Sequence, residues 1–420
     1  MDIINPAYAG RKHGVLFVSM VIITVGSTVL SFSFLSDSHL YHQTTFVTEA
    51  SAQSDLNVVR YRNLILDLGN GVSTNAQLTF PATGKGPYPG VLLIHGSGPA
   101  DMNETLAKGV SKPFWQISNY LSERGFAVLR YDKRGIGEQS EIVDQELWRN
   151  VTIDTLIKDA ETALDTLIQQ PEVDPKRISL VGHSEGTIIA PRIALTNPTE
   201  VENVVLMGPA AQNLFDIVNF QMVRNPIFYA KQVLDKNDTG EIPIPTLVKD
   251  NFLKYDLLTT QFPEQNDSQS ITGALLKLFN NDTTTKTGNI SIENQIRPIL
   301  IESFINDTEN ESTLCIKNAC PKWWQSHSRL LPTLDVIGNV SSSIDILLLV
   351  GENDSQTPIQ QALLLNQKLD EKGHRSHELK TYPNLGHVFY PSSKWDTSFG
   401  PIQPNVLEDL YSWLKSRSIQ

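Results

Sequence analysis

Gly182-His183-Ser184-Glu185-Gly186 stands directly after an apolar run at 177–181 and directly before a helical stretch at 187–195. A serine between two glycines at a strand-to-helix junction is the pattern of a nucleophile elbow, a strained turn with no room for a Cβ at the flanking positions. Such a turn lifts the serine hydroxyl out at the end of a sheet. It also aims the positive end of the next helix at negative charge developing there. The pentapeptide alone is common; the strand before it and the helix after it commit the chain to an α/β arrangement.

The rest of the chain is consistent with that arrangement. Strand-like runs at 58–68 and 72–80 flank Gly69-Asn70-Gly71, a strong signal for an antiparallel hairpin. Strands and helices then alternate: strand 90–94, helix 114–124, strand 126–131, helix 152–169, strand 177–181, helix 187–195 and strand 201–207. This rhythm predicts a mostly parallel sheet covered on both faces. It stops at 211, where helical stretches at 214–220, 246–258, 271–279 and 293–304 are separated by polar loops, with no convincing strand. It resumes with strand 344–350, helix 359–372, strand 378–382 and helix 406–416. The expected organisation is an N-terminal segment over 1–36, a linker over 37–56, a core made of 57–210 and 339–420, and a helical cap insertion over 211–338.

A serine hydroxyl is a poor nucleophile at neutral pH and needs a base that is itself oriented by an acid. After a nucleophile elbow the partners follow in the order serine, acid, histidine. Asp354, in Gly351-Glu352-Asn353-Asp354, and His387, in Asn384-Leu385-Gly386-His387, both lie just past strands, where α/β sites are built. Glu352 is the rival acid and Asp335 a more distant one. His374 and His377 are rival bases, but they precede the last strand and read as surface residues. His95-Gly96-Ser97-Gly98-Pro99 follows the strand expected beside the elbow. Its Ser97, with Gly98 second, is the candidate for one backbone donor to an oxyanion hole, and Glu185 for the other. His95 and His183 read as parts of their turns. In Tyr131-Asp132-Lys133-Arg134-Gly135-Ile136-Gly137, an Asp132/Arg134 pair is expected to fix a glycine turn beneath the site. Trp323 and Trp324 are adjacent, so one is expected in a pocket and the other between cap and core.

Composition narrows the remaining choices. A chain of 420 residues, 40% hydrophobic and 19% charged, can build its core without disulfides or metals. A formal net charge of −12 with no Lys/Arg block argues against nucleic acid as a partner. The two cysteines, Cys315 and Cys320, lack zinc-site spacing and read as a local disulfide if the protein is exported. Export is suggested by Arg11 and Lys12 ahead of an uncharged apolar run at 15–35. That run has about the length of ~20 residues that a membrane-spanning helix needs. The basic pair would stay in the cytoplasm with the rest outside, so an uncleaved membrane anchor is favoured over a signal cleaved near Ala50-Ser51-Ala52. N-x-[ST] sequons at Asn103, Asn150, Asn237, Asn266, Asn281, Asn289, Asn306, Asn310, Asn339 and Asn353 point the same way.

HGSGP at 95–99, YDKRGIG at 131–137, GHSEG at 182–186, GENDSQTP at 351–358 and NLGH at 384–387 together resemble a known group. These are the bacterial and archaeal α/β-hydrolases classed with serine aminopeptidase-like and EstD-type carboxylesterases, and the resemblance spans about 58–417. It implies an α/β-hydrolase fold and ester hydrolysis through an acyl-enzyme. Ser184, Asp354 and His387 match the triad positions, and no metal or organic cofactor is needed. Thr187 departs from the group, which usually carries a second glycine there. HGSGP is also similar to carbon–carbon-bond hydrolases of aromatic degradation, which GHSEG and YDKRG fit less well. The expected partner is a small-molecule ester or a short peptide. The alternatives are an aminopeptidase acting on short peptides, a non-catalytic binding protein on the same fold, and a purely structural membrane protein.

Overall fold

A computed structural model of the chain describes residues 58–250, 288–308 and 320–418. The apolar run at 15–35, the linker, the helix expected at 271–279, most of that at 246–258, Cys315, and the sequons at Asn266, Asn281 and Asn310 lie outside the described residues.

The opening hairpin joins β1 (Val59–Gly69) to β2 (Val72–Pro81), antiparallel as expected. Gly69, Asn70 and Gly71 all take positive φ, which is what so tight a turn requires. The alternating part supplies β3 (Tyr88–Ile94), β4 (Ala127–Tyr131), β5 (Val173–His183), β6 (Val201–Met207), β9 (Asp345–Gly351) and β10 (His377–Tyr382). The strand order is β1-β2-β4-β3-β5-β6-β9-β10. Every pairing from β4 to β10 is parallel, and the hairpin forms an antiparallel edge.

Strand residues alternate between two cores. Leu92, Leu180, Val204 and Leu348 face α2 (Ile153–Ile168), α3 (Gly186–Thr196) and α5 (Ile359–Glu371). Leu93, Val181, Val205 and Leu349 face α1 (Pro113–Ser122) and α6 (Pro404–Arg417). A strand buried on both sides must be apolar throughout, which is why these runs read as continuous rather than alternating. Helix α2 starts on a capping box, with Thr152 and Thr155 each bonding the other's backbone N–H.

Between β6 and β9 the described residues are mainly helical, including Leu214–Asn219, Arg297–Thr308 and α4 (Pro321–Arg329). The expectation of no strand here is corrected: β7 (Glu241–Pro243) and β8 (Asn289–Ser291) pair antiparallel. Each is too short to produce a recognisable alternation. Cys320 is disulfide-bonded; Cys315 is the chain's only other cysteine. Among the described residues, no helix is long and apolar enough to cross a membrane. Two sequons are not open surface sites. The Asn103 carboxamide oxygen accepts from buried Arg130, and the Asn353 amide donates to the Ser392 carbonyl at 2.7 Å.

Candidate active site

β5 ends at His183 and α3 begins at Gly186, so Ser184 and Glu185 make the turn. Ser184 has φ +54°, a left-handed conformation that non-glycine residues rarely adopt. Its N–H donates to Met207 O on β6 at 3.0 Å, and its carbonyl accepts from the Thr187 N–H at 2.9 Å. The flanking glycines are steric necessities. A Cβ at Gly182 would collide with the Gly186 carbonyl oxygen, and one at Gly186 with the Ile94 carbonyl oxygen on β3. Thr187 uses its hydroxyl twice, donating to Ser184 O at 2.6 Å and accepting from Ala210 N–H at 3.0 Å. The residue that departs from the family pattern thus ties the elbow to the loop after β6.

Asp354 follows β9 and His387 follows β10, so the parallel sheet brings both to the end where Ser184 stands. Asp354 Oδ2 lies 2.8 Å from His387 Nδ1, and both side chains are buried. Its other oxygen, Oδ1, accepts the N–H groups of Gln356 and Thr357, each at 2.8 Å. Thr357, not singled out from the sequence, places Oγ1 2.9 Å from Asp354 Oδ2, 3.0 Å from Gly208 O and 3.2 Å from His387 Nδ1. The rivals fall away. Glu352 is exposed and bonded to Thr381, and Asp335 is exposed. His377 stands at the start of β10. His374, expected at the surface, is buried against the Ser341 carbonyl, and neither histidine lines the cavity over Ser184.

The HGSGP loop packs against Ser184: a Cβ built on Gly96 would lie 3.0 Å from Ser184 Cβ. Gly96 is gripped from both sides, its N–H by Glu104 Oε1 at 2.7 Å and its carbonyl by Lys133 Nζ at 2.6 Å. Lys133 also donates to Gly98 O at 3.2 Å and to Glu185 Oε2 at 3.0 Å. Glu185 Oε1 takes two further donors from α4, Trp323 Nε1 at 2.7 Å and His327 Nε2 at 2.8 Å. Burial alone would raise the Glu185 carboxyl pKa, but Lys133 and His327 outweigh it and hold it at about 2. Neither the Ser97 N–H nor the Glu185 N–H has an acceptor among the described residues.

A second ion pair flanks the histidine. His183 Nδ1 faces Glu104 Oε1 at 3.0 Å and Nε2 faces His387 O at 3.2 Å. With acceptors beside both nitrogens, the surroundings favour the doubly protonated, charged form of the ring. Burial opposes that charge, yet Glu104 prevails and the His183 pKa is raised. His95, by contrast, sits between Phe114 and Tyr131, and burial, helped by Lys133, pushes its pKa down to about 4.

A cavity of about 110 Å³ opens over Ser184 and His387. Its walls are chiefly apolar, among them Trp148, Ile188, Leu214, Ile217 and Trp324. Both adjacent tryptophans border it, a correction to the expectation that only one would. They stand in the first turn of α4, and their rings meet edge to face at 4.9 Å. The expected Asp132/Arg134 pair does not form. Arg134 Nε donates to Asp159 Oδ2 at 2.7 Å, and Asp132 accepts the Met102 N–H at 2.6 Å. Sequence reasoning missed Lys133, His327, Glu104 and Thr357. Lys133 and Thr357 lie inside the quoted motifs, which was the available signal.

Residues 89–393 match the family model described as alpha/beta hydrolase fold. Among curated proteins, Esterase EstD of Thermotoga maritima is 32% identical over 186 residues, covering 43% of this chain and 42% of that protein. Esterase FrsA of Yersinia pestis is 25% identical over 189 residues, covering 44% of this chain and 41% of that protein. The chain therefore spans less than half the length of these curated relatives. Among solved structures, a thermostable carboxyl esterase from Bacillus coagulans aligns with 85% of this chain and 98% of its own, at 18% identity and a TM-score of 0.46.

Proposed function

The chain belongs to the α/β-hydrolase fold family, and from that premise we propose that it is a serine hydrolase cleaving carboxylic esters through an acyl-enzyme. The observation that carries this reading is the buried 2.8 Å contact of Asp354 with His387, the histidine that lines the same cavity as Ser184. In the proposed reaction Ser184 Oγ attacks the ester carbonyl and its proton passes to His387. Asp354 orients the imidazole and stabilises its charged form. The N–H groups of Ser97 and Glu185 receive the oxyanion. His387 then protonates the leaving alcohol, and water, deprotonated by His387, releases the acid. The segment 211–338 acts as a cap over the substrate.

Two observations favour an ester over a peptide substrate with a free amino terminus. An aminopeptidase must hold an α-ammonium, normally with a carboxylate near the nucleophile. Beside Ser184 the acidic side chains bordering the cavity are Glu104 and Glu185, and both are already engaged, with His183 and with Lys133. The remaining walls are chiefly apolar, with Trp148, Ile188, Leu214, Ile217 and Trp324 among them, which suits an uncharged acyl or alcohol group.

Labelling by a fluorophosphonate probe tests for a nucleophilic serine, and its loss in Ser184→Ala identifies it. The comparison of kcat/KM for p-nitrophenyl acyl esters against aminoacyl p-nitroanilides then separates the substrate classes. Efficient anilide cleavage, abolished when the α-amino group is blocked, would replace the esterase reading with the aminopeptidase one. An unlabelled Ser184 would leave a non-catalytic binding protein.

Export is part of the proposal, supported by the basic pair ahead of the apolar run at 15–35. Protease added to intact cells should digest the catalytic region. Full protection in cells of proven integrity would refute it.

A further inference from the structure

Lys133 is only 3% exposed, and its ammonium hydrogens are all committed, to Gly96 O, Gly98 O and Glu185 Oε2. These acceptors are not scattered. Gly96 and Gly98 flank Ser97, and Glu185 follows Ser184, so one buried cation touches both segments proposed to carry the oxyanion donors.

The covalent geometry of the peptide makes the first contact directional. The Gly96–Ser97 peptide is planar and trans, so its carbonyl and its N–H point in opposite directions. Lys133 draws the Gly96 carbonyl to itself at 2.6 Å, which turns the Ser97 N–H away from Lys133. Glu104 fixes the preceding peptide through the Gly96 N–H, so this part of the loop has little freedom to rotate. The Gly98 N–H lies on a peptide that neither ion holds, which selects Ser97 over Gly98 as the donor. On the other side, Lys133 anchors the Glu185 side chain, whose own backbone N–H is the second donor. Trp323 and His327 hold the same carboxylate from the cap.

We infer that Lys133 is the positioning residue of the oxyanion hole: it sets the Ser97 N–H through the Gly96 carbonyl and the Glu185 N–H through the Glu185 carboxylate. This rests on Ser184 being the nucleophile, but not on the identity of the substrate. Lys133 touches no reacting atom. Its effect is confined to the state in which negative charge sits on the substrate oxygen, and ground-state binding is left alone.

The test compares Lys133→Met with the double variant Lys133→Met/Glu185→Gln, which removes both buried charges and stays folded if the single one does not. The probe is an alkyl trifluoromethyl ketone. Ser184 Oγ adds to its carbonyl carbon, the proton passes to His387, and the resulting oxyanion enters the hole without any bond being cleaved. Binding is followed by fluorine NMR, with p-nitrophenyl ester turnover and melting temperature measured on the same preparations. In the folded variant, kcat should fall and the ketone's inhibition constant should rise by the same factor, roughly 10- to 100-fold, with KM within about threefold of wild type. A folded variant that keeps kcat and ketone affinity within about twofold, or that changes KM alone, overturns the assignment. If wild-type protein binds the ketone but hydrolyses no ester, the substrate reading fails while the positioning of the hole is still measured. If it does neither, Ser184 is not a nucleophile, and both proposals fall.

Discussion

His327 Nε2, on helix α4, lies 2.8 Å from Oε1 of Glu185, the residue next to Ser184. Trp323 Nε1 donates to the same oxygen at 2.7 Å, so α4 is fastened to the turn that carries Ser184. The Ile153 N–H donates to Ser326 Oγ at 2.9 Å and seats the same helix against the start of α2.

Trp323→Phe keeps the aromatic wall and removes only the Nε1 donor. A hydrogen bond to an ionised acceptor contributes about 1.5–3 kcal/mol, and the variant should lose stability of that order. Urea unfolding at neutral pH measures it. A midpoint indistinguishable from wild type would show that the Trp323–Glu185 hydrogen bond does not hold α4 in place.

Glu185 makes stability depend on pH in a defined direction. Its carboxyl pKa is held at about 2 in the folded chain, against an ordinary 4.5. A carboxylate with a depressed folded pKa contributes stability that is fully present above the unfolded value. That contribution is lost as pH falls from about 4.5 towards 2. Glu185→Gln should therefore be less stable than wild type at pH 7 by about 3–5 kcal/mol, because Lys133 is left buried without its anion. Its stability should also fall less steeply between pH 4.5 and 2. Denaturation curves for the two proteins across that window decide it, and parallel pH profiles would remove Glu185 as the source.

The Thr357 hydroxyl lies within reach of Asp354, His387 and Gly208 O, so in the proposed mechanism it keeps acid and base in register. Thr357→Val should lower kcat by roughly tenfold with little change in KM, and Thr357→Ser should restore most of the loss. Equal effects of serine and valine would mean that the methyl group matters rather than the hydroxyl.

Ser184→Ala should lose turnover by a factor of roughly a thousand or more while melting within about two degrees of wild type. The variant removes a hydroxyl and leaves unchanged the backbone contacts to Met207 and Thr187 that define the elbow. Residual activity above about a tenth of wild type would place the nucleophile elsewhere.

Local chemistry determined the parts of this protein that were legible in the sequence. The elbow glycines are dictated by collisions within a few residues and with the adjacent strand. The buried strands carry continuous apolar runs because both faces are covered. Asp354 and His387 stood out as candidates because each lies just past a strand of a parallel sheet, where loops converge on one side. The strand order, the β7–β8 pair and the second pocket tryptophan left no such periodic trace. Only the tertiary structure decided the ion cluster: Glu185 meets Lys133 across 52 residues of chain, Trp323 across 138 and His327 across 142. No spacing rule connects positions so far apart. Which cation ends up beneath a carboxylate depends on the crossing of β3, β4, β5 and the cap helix, and those crossings exist only once the sheet is assembled.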